Sequence, residues 1–138
     1  MQPRQLTEQL SVAPQIAAAD MPAIVAQGFR SIVNNRPDGE EPGQPDNAAL
    51  EAAAHAAGLE WRHIPVVSGK VNDDQVRSFS EAMAQLPGPV LAFCRSGTRC
   101  SALWALSSDD TVDNILATTE AAGYDLSILR GWLEMSRR

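Results

Sequence analysis

The chain is poor in cysteine, short of positive charge and without a long apolar run. Its two cysteines, at positions 94 and 100 of 138 residues, do not form the pattern of a secreted disulfide framework. No segment approaches the roughly 18 apolar residues of a membrane span, and the N-terminus lacks a signal-peptide core. These absences predict a cytoplasmic protein outside the membrane. The net charge of −6 argues against nonspecific nucleic-acid binding, which needs basic patches.

The composition is that of one soluble domain. Hydrophobic residues make up 44% and charged residues 20% of the chain, which are ordinary values for a globular protein. The sequence contains no internal repeat, no low-complexity tract and no linker long enough to divide it. Residues 1–138 are therefore predicted to form a single domain with a substantial core.

Strand-like and helix-like segments alternate along the chain. The strand-like segments are 11–13, 29–33, 59–67 and 90–93. The helix-like segments are 20–28, 48–57, 74–86, a run ending at 106, 111–122 and 125–135. This alternation predicts an α/β fold with a mainly parallel central sheet flanked by helices. Ligand sites in such sheets lie at the carboxyl ends of strands, so Asn34, Asn35 and Arg36 are expected near the segment that follows residue 93.

The most informative segment is an apolar strand followed by a cysteine, a polar loop and a helical run. Val90–Phe93 is the strand, Cys94 follows it, and the helical run includes 102–106. A thiol at this position faces backbone N–H groups and the positive end of a helix, which stabilise a thiolate or a bound oxyanion. Helix N-termini and nearby arginines lower the pKa of cysteine. Cys94 is therefore the predicted nucleophile.

The loop that begins at Cys94 is short. Cysteine phosphatases use Cys-x5-Arg, but here Cys100 occupies the position of that arginine, and the loop reads Cys-Arg-Ser-Gly-Thr-Arg. It resembles the six-residue active-site loop of single-domain rhodaneses, Cys-Arg-x-Gly-x-Arg. A shorter loop suits the terminal sulfur of a persulfide better than a tetrahedral phosphate.

Each remaining loop residue has an expected role. Gly97 lets the backbone turn inward without a side-chain clash. Ser96 and Thr98 are expected to donate hydroxyl hydrogen bonds to the sulfur anion. Arg95 and Arg99 are expected to attract an anionic substrate, and Arg99 to hold it through its planar guanidinium.

Cys100 has two interpretations. It is either a second thiol that attacks an oxidised or persulfidated Cys94 or a small packing residue in the first turn of the helix. His55 and His63, taken with the two cysteines, lack the close ligand spacing of a zinc site. We therefore predict no metal and no cofactor.

Three further segments carry a family resemblance. They are Ile32–Glu41 followed by Gln44-Pro45, then His63–Val66, and Ala121–Leu126. They resemble the phosphatase-like domain of beta-lactamase-hydrolase-like proteins, a bacterial family also catalogued as a sulfur transferase family. The resemblance implies a dual-specificity-phosphatase-like fold carrying a rhodanese-like loop. It also implies a place in sulfide and persulfide metabolism, with a persulfide dioxygenase as a separate partner protein.

Phosphatase chemistry lacks one expected group. A phosphatase of this fold needs an aspartic acid to protonate the leaving oxygen, and the fold places it in the loop after His63–Val66. That loop reads Val67-Ser68-Gly69-Lys70-Val71, and the next acid is Asp73. Sulfur transfer needs no such acid, because sulfite or a thiolate leaves unaided.

The leading hypothesis is a rhodanese-type sulfurtransferase. Cys94 takes a sulfane sulfur from a small anionic donor, thiosulfate or glutathione persulfide, and passes it to cyanide, glutathione or a protein thiol. One alternative is a cysteine-dependent phosphatase acting on aryl phosphates or phosphotyrosine. Another is a non-catalytic redox or persulfide sensor that uses Cys94 and Cys100. The sequence does not name the donor, the acceptor or the oligomeric state.

Overall fold

A five-stranded sheet forms the centre of the protein. The computed structural model describes residues 2–136, and the strands lie in the order β1-β2-β5-β3-β4. They are β1 (Arg4–Thr7), β2 (Leu10–Ala13), β3 (Ser31–Asn34), β4 (Glu60–His63) and β5 (Val90–Phe93). β1 runs antiparallel to β2, and the other neighbouring pairs are parallel. The predicted α/β fold with a mainly parallel sheet is confirmed.

Helices cover both faces of the sheet. They are α1 (Met21–Ala26), α2 (Asn47–Ala56), α3 (Asp73–Gln85), α4 (Thr98–Ser107), α5 (Val112–Ala121) and α6 (Arg130–Met135). Side chains alternate along a strand, so Ile32 packs with α1 and α2 whereas Val33 packs with α3 and α4. α5 and α6 pack on α4 through a third apolar cluster. In the described chain, no helix is both long and apolar enough to cross a bilayer.

α3 begins at Asp73, one residue before the predicted start, and is capped by side chains at its N-terminus. The Asn72 side chain accepts a hydrogen bond from the backbone N–H of Gln75, and the Gln75 side chain accepts one from the backbone N–H of Asn72. This reciprocal capping box satisfies two N–H groups that the first turn leaves without partners. Asp73 and Asp74 add negative charge at the positive end of the helix.

The structure differs from the predicted elements at several points. The edge strand β1 was missed because Leu6 is its one buried residue. The segment 59–67 forms a strand only to His63, since Pro65 has no N–H to donate to a neighbour. The predicted helix 125–135 is a 3₁₀ turn, Ser127–Leu129, followed by α6.

The sheet brings the two polar segments together as predicted. β3 and β5 are parallel neighbours, with Asn34 opposite Phe93. The backbone N–H of Asn35 donates to the carbonyl oxygen of Phe93 at 2.8 Å. The residues after β3 and the residues after β5 therefore share the carboxyl edge of the sheet.

Candidate active site

Gly97 shapes the loop between β5 and α4. Its φ is +96°, in the left-handed region, and it is the N-cap of α4. A Cβ at this position would lie 2.2 Å from the hydroxyl oxygen of Tyr124. That hydroxyl donates a hydrogen bond to the carbonyl oxygen of Ser96 at 2.9 Å. The backbone conformation therefore favours glycine here, and a Cβ would also displace the Tyr124 side chain.

The sulfur of Cys94 is the focus of this loop. The backbone N–H of Gly97 donates to Cys94 Sγ at 3.1 Å. The hydrogen bond from the Cys100 thiol is the largest influence that lowers the pKa of Cys94, to about 5, with backbone N–H groups adding to it against the effect of burial. Burial raises the pKa of Cys100 well above its ordinary value. At neutral pH, Cys94 is therefore the thiolate and Cys100 the protonated donor.

A difference titration tests this charge state. The ultraviolet absorbance of the Cys94 thiolate, taken as wild type minus Cys94→Ser, is expected to rise with a midpoint near pH 5. Because the folded pKa lies below that of a free thiol, about 8.5, the free energy of unfolding should rise with pH between these two values. A midpoint near that of a free thiol would contradict the described hydrogen bonding.

Arg99 lies beside Cys94 with one edge of its guanidinium occupied. Its Nη1 donates to Glu40 Oε2 at 2.7 Å and to the carbonyl oxygen of Val66 at 2.9 Å, and its Nη2 donates to Glu40 Oε1 at 2.9 Å. The two arginines on Glu40, Arg99 first, hold the pKa of that carboxyl at about 2. Within residues 2–136, the Nε edge of Arg99 carries no hydrogen bond, and it can present two N–H groups to an anion.

Arg36 forms a salt bridge with Glu40. Its side chain is only 2% exposed, and its Nε donates to Glu40 Oε1 at 2.8 Å. Its other two nitrogens donate to Glu41 and to Gln15. The backbone N–H of Gln15 also donates to the carbonyl oxygen of Arg95. This cluster around the buried Arg36 ties the segment after β3 to the Cys94 loop.

The predicted neighbours Asn34 and Arg36 have different places. Arg36 lines the cleft above the loop. Asn34 lies behind it, where its side chain accepts from the backbone N–H of Arg36 and donates to Asn47. The Asn34–Arg36 segment is thus close to the loop, with Arg36 facing it and Asn34 fixing the turn.

A cleft of about 630 Å³ opens over the loop. Arg95, Ser96, Thr98 and Arg99 all line it. The hydroxyls of Ser96 and Thr98 bond to each other at 3.0 Å, rather than to the sulfur as expected, because both point outward into the cleft. Cys94 itself has no exposed surface, because the loop residues that follow it cover the sulfur.

The sequence of this chain matches a known family over nearly its whole length. Residues 2–124 match the profile described as "Beta-lactamase hydrolase-like protein, phosphatase-like domain". The chain belongs to this family. A beta-lactamase hydrolase-like protein of Agrobacterium fabrum is 40% identical in an alignment of 135 positions that covers 94% of this chain and 31% of the relative. The chain thus spans about a third of the length of the curated relatives it matches.

Solved structures agree with the family. A protein of Neisseria meningitidis Z2491, provisionally described as a phosphatase, is 37% identical, with a TM-score of 0.86 and 95% of both chains covered. The kinase associated phosphatase has a TM-score of 0.75 at 15% identity, covering 98% of this chain and 92% of its own, which shows the fold alone. The chain therefore has the fold of the cysteine phosphatases, as the family resemblance implied.

Three residues of the candidate site have no role predicted from the sequence. They are Gln15, Glu40 and Tyr124, which contact Arg36, Arg99 and the loop backbone respectively. The one available signal was the pair of glutamates that closely follows Arg36 in an otherwise turn-rich segment. Within the described chain, no group of three or more possible metal ligands occurs, and His63 contacts the carbonyl oxygen of Arg36 through Nε2.

Proposed function

We propose that the chain is a cysteine-dependent phosphatase acting on phosphomonoesters with acidic leaving groups, of which aryl phosphates are the main class. One observation carries this proposal: an ionised Cys94 interacts electrostatically with Arg99, whose Nε edge has no partner among the described residues. The phosphatase-like family and the similarity to the Neisseria protein support this function better than they support sulfur transfer.

The chemistry follows from these two side chains. Two oxygens of the phosphoryl group bind the free edge of Arg99, and Cys94 Sγ attacks phosphorus, forming the S–P bond as the P–O bond to the leaving group breaks. The leaving oxygen departs with its electron pair. Water then hydrolyses the S–P bond of the phosphorylated Cys94, which releases inorganic phosphate and regenerates the thiolate.

The restriction to acidic leaving groups comes from the carboxyls of the cleft. Glu40 and Glu41 are the carboxylic residues that line it, and the arginines beside them lower the pKa of both, that of Glu40 to about 2. Neither holds a proton at neutral pH, so neither protonates a leaving oxygen. Aryl oxides leave without that help more readily than alkoxides.

Sulfur transfer is a second candidate, favoured by the tightness of the loop. Six residues, Cys94 to Arg99, enclose a sulfur with no exposed surface, and one sulfur atom needs less room there than a phosphoryl group. The thiolate would attack the outer sulfur of thiosulfate, forming a persulfide and expelling sulfite. Cyanide would then remove that sulfur as thiocyanate. Neither step needs a proton donor. A redox or persulfide sensor that uses Cys94 and Cys100 is a third proposal. A separate persulfide dioxygenase is the proposed partner protein.

Parallel assays separate the candidates. Phosphate release from p-nitrophenyl phosphate and thiocyanate formation from thiosulfate plus cyanide are measured on wild type and on Cys94→Ser. Phosphate release that depends on Cys94, with little thiocyanate, supports the phosphatase. Thiocyanate formation that depends on Cys94, with little phosphate release, would support the sulfurtransferase instead. If neither substrate is turned over, both proposed activities are excluded.

Glu40 is expected to matter through the position of Arg99. Glu40→Gln keeps the shape of the side chain but loses the charged pair, so kcat/KM for p-nitrophenyl phosphate should fall about 10- to 100-fold, as charge-assisted pairs of this kind are worth roughly 1.5–3 kcal/mol. Glu41→Gln is the control, because it removes the same charge from the same segment without contacting Arg99. The kcat/KM of Glu41→Gln should fall by less than about threefold. Higher activity in Glu40→Gln would instead mean that Glu40 competes with substrate for Arg99.

A further inference from the structure

The cleft over the Cys94 loop is lined by two chemically different groups of residues. The charged group is Arg36, Glu40, Glu41, Arg95 and Arg99. The apolar group, here called the apolar rim, consists of Val71, Ala102, Leu126, Ile128 and Leu129. A substrate anion bound to Arg99 would therefore share the cleft with apolar side chains.

Ile128 is the most exposed large apolar side chain of the described chain, at 89%. Single exposed apolar residues are common on protein surfaces, but this one lines the same cleft as Ser96, Thr98 and Arg99 of the Cys94 loop. Leu126 and Leu129, its neighbours in the turn, belong to or pack against the apolar cluster shared by α4, α5 and α6. Ile128 is thus the rim residue that the core leaves uncovered.

The turn that carries Ile128 is firmly held. The backbone N–H of Leu129 donates to the carbonyl oxygen of Leu126 at 2.9 Å, and that of Ser127 donates to Asp125 Oδ1 at 3.0 Å. The backbone hydrogen bond from Ser127 is also the main reason that the pKa of Asp125 is lowered. Because these hydrogen bonds already order the backbone of the turn, ligand binding to Ile128 costs little backbone conformational entropy.

We propose that the apolar rim, with Ile128 at its most exposed point, binds an aryl or similarly bulky apolar substituent attached directly to the anionic reacting group of the substrate. This inference rests on the proposed function only in taking the cleft as the substrate site, and it adds a residue that determines specificity. Ile128 acts in recognition and takes no part in the bond-making steps. Its removal should change KM more than kcat.

Two phosphonates test the rim without turnover. Phenylphosphonate and methylphosphonate carry the same anionic group and differ in the ring, and their Kd values are measured by calorimetry on wild type, Ile128→Ser and Met135→Ser. Met135 is 68% exposed and lies outside the cleft lining, so it is the matched control. Wild type and Met135→Ser should bind phenylphosphonate about tenfold more tightly than methylphosphonate, from the apolar area covered. Ile128→Ser should lose most of this preference.

Each other outcome overturns the inference. Equal affinity for the two phosphonates in wild type, a preference that survives in Ile128→Ser, or no binding of either compound would each exclude the proposed rim. Failure of the phosphatase proposal has a different signature, because phenylphosphonate would still bind preferentially while p-nitrophenyl phosphate releases no phosphate. The KM for that substrate, where turnover occurs, should rise about tenfold in Ile128→Ser with kcat unchanged.

Discussion

Replacing Cys94 with serine is expected to lower kcat by at least about a thousandfold, the scale seen when an enzyme loses its nucleophile. The replacement keeps the size of the side chain and its hydrogen bond from Gly97. It removes the anion, because a serine hydroxyl is not ionised at neutral pH whereas the pKa of Cys94 is about 5. Steady-state turnover of p-nitrophenyl phosphate and of thiosulfate measures the effect on both candidate reactions.

Variants of Cys100 provide the control. Cys100→Ser retains a donor toward the Cys94 sulfur and should keep most of the activity, whereas Cys100→Ala removes that donor and should raise the pKa of Cys94, since the Cys100 thiol is its largest stabilising contact. Thermal unfolding of each variant shows whether the fold is retained. Substantial activity in folded Cys94→Ser would refute the nucleophile assignment.

The second large effect is expected for Gly97→Ala. A left-handed φ costs a non-glycine residue about 1–2 kcal/mol, and the added Cβ would meet Tyr124 at 2.2 Å. We expect a total loss of about 3–4 kcal/mol in the free energy of unfolding, because the overlap adds strain to the backbone cost. The pKa of Cys94 should rise as well, since the N–H of Gly97 moves away from the sulfur. Urea denaturation and the thiolate titration measure the two effects.

Gly39→Ala is the matched control for that variant. Gly39 also has a positive φ, +74°, but a Cβ there would meet no atom within 4 Å. Its substitution should therefore show the backbone cost alone, about 1–2 kcal/mol, with no change in the pKa of Cys94. Equal destabilisation of the two variants, with an unchanged Cys94 pKa in both, would show that Tyr124 does not confine the loop.

The sequence predicts this site well where its residues are contiguous. A strand of four apolar residues, a cysteine and a glycine-containing loop fix the place of Cys94 because each element depends on its immediate neighbours. The parallel direction of β3 and β5 was also predictable, since it follows from strand–helix alternation. A shared direction brings the ends of both strands, and therefore Arg36 and the Cys94 loop, to the same edge of the sheet.

The contacts made by Arg99 were not predictable in the same way. Its partner Glu40 lies 59 positions earlier, and the pairing depends on how the turn-rich segment after β3 folds back over the loop. Sequence spacing carries no information about that path. The same holds for Tyr124, whose hydroxyl meets the loop across 28 positions. The expectation for Ser96 and Thr98 failed for a related reason, because only the folded loop shows that their hydroxyls face each other.

The most direct test of the account is the mass of the intact protein trapped during turnover. Wild type and Cys94→Ser are mixed with p-nitrophenyl phosphate and quenched rapidly in acid, and the intact mass is measured by mass spectrometry. A parallel sample of each protein is treated with thiosulfate. The account predicts one added phosphoryl group on wild type, located at Cys94 and absent from Cys94→Ser. One added sulfur atom from thiosulfate, with no phosphoryl adduct, would assign Cys94 to sulfur transfer instead. A phosphoryl adduct that persists in Cys94→Ser, or no adduct from either donor, would contradict the account.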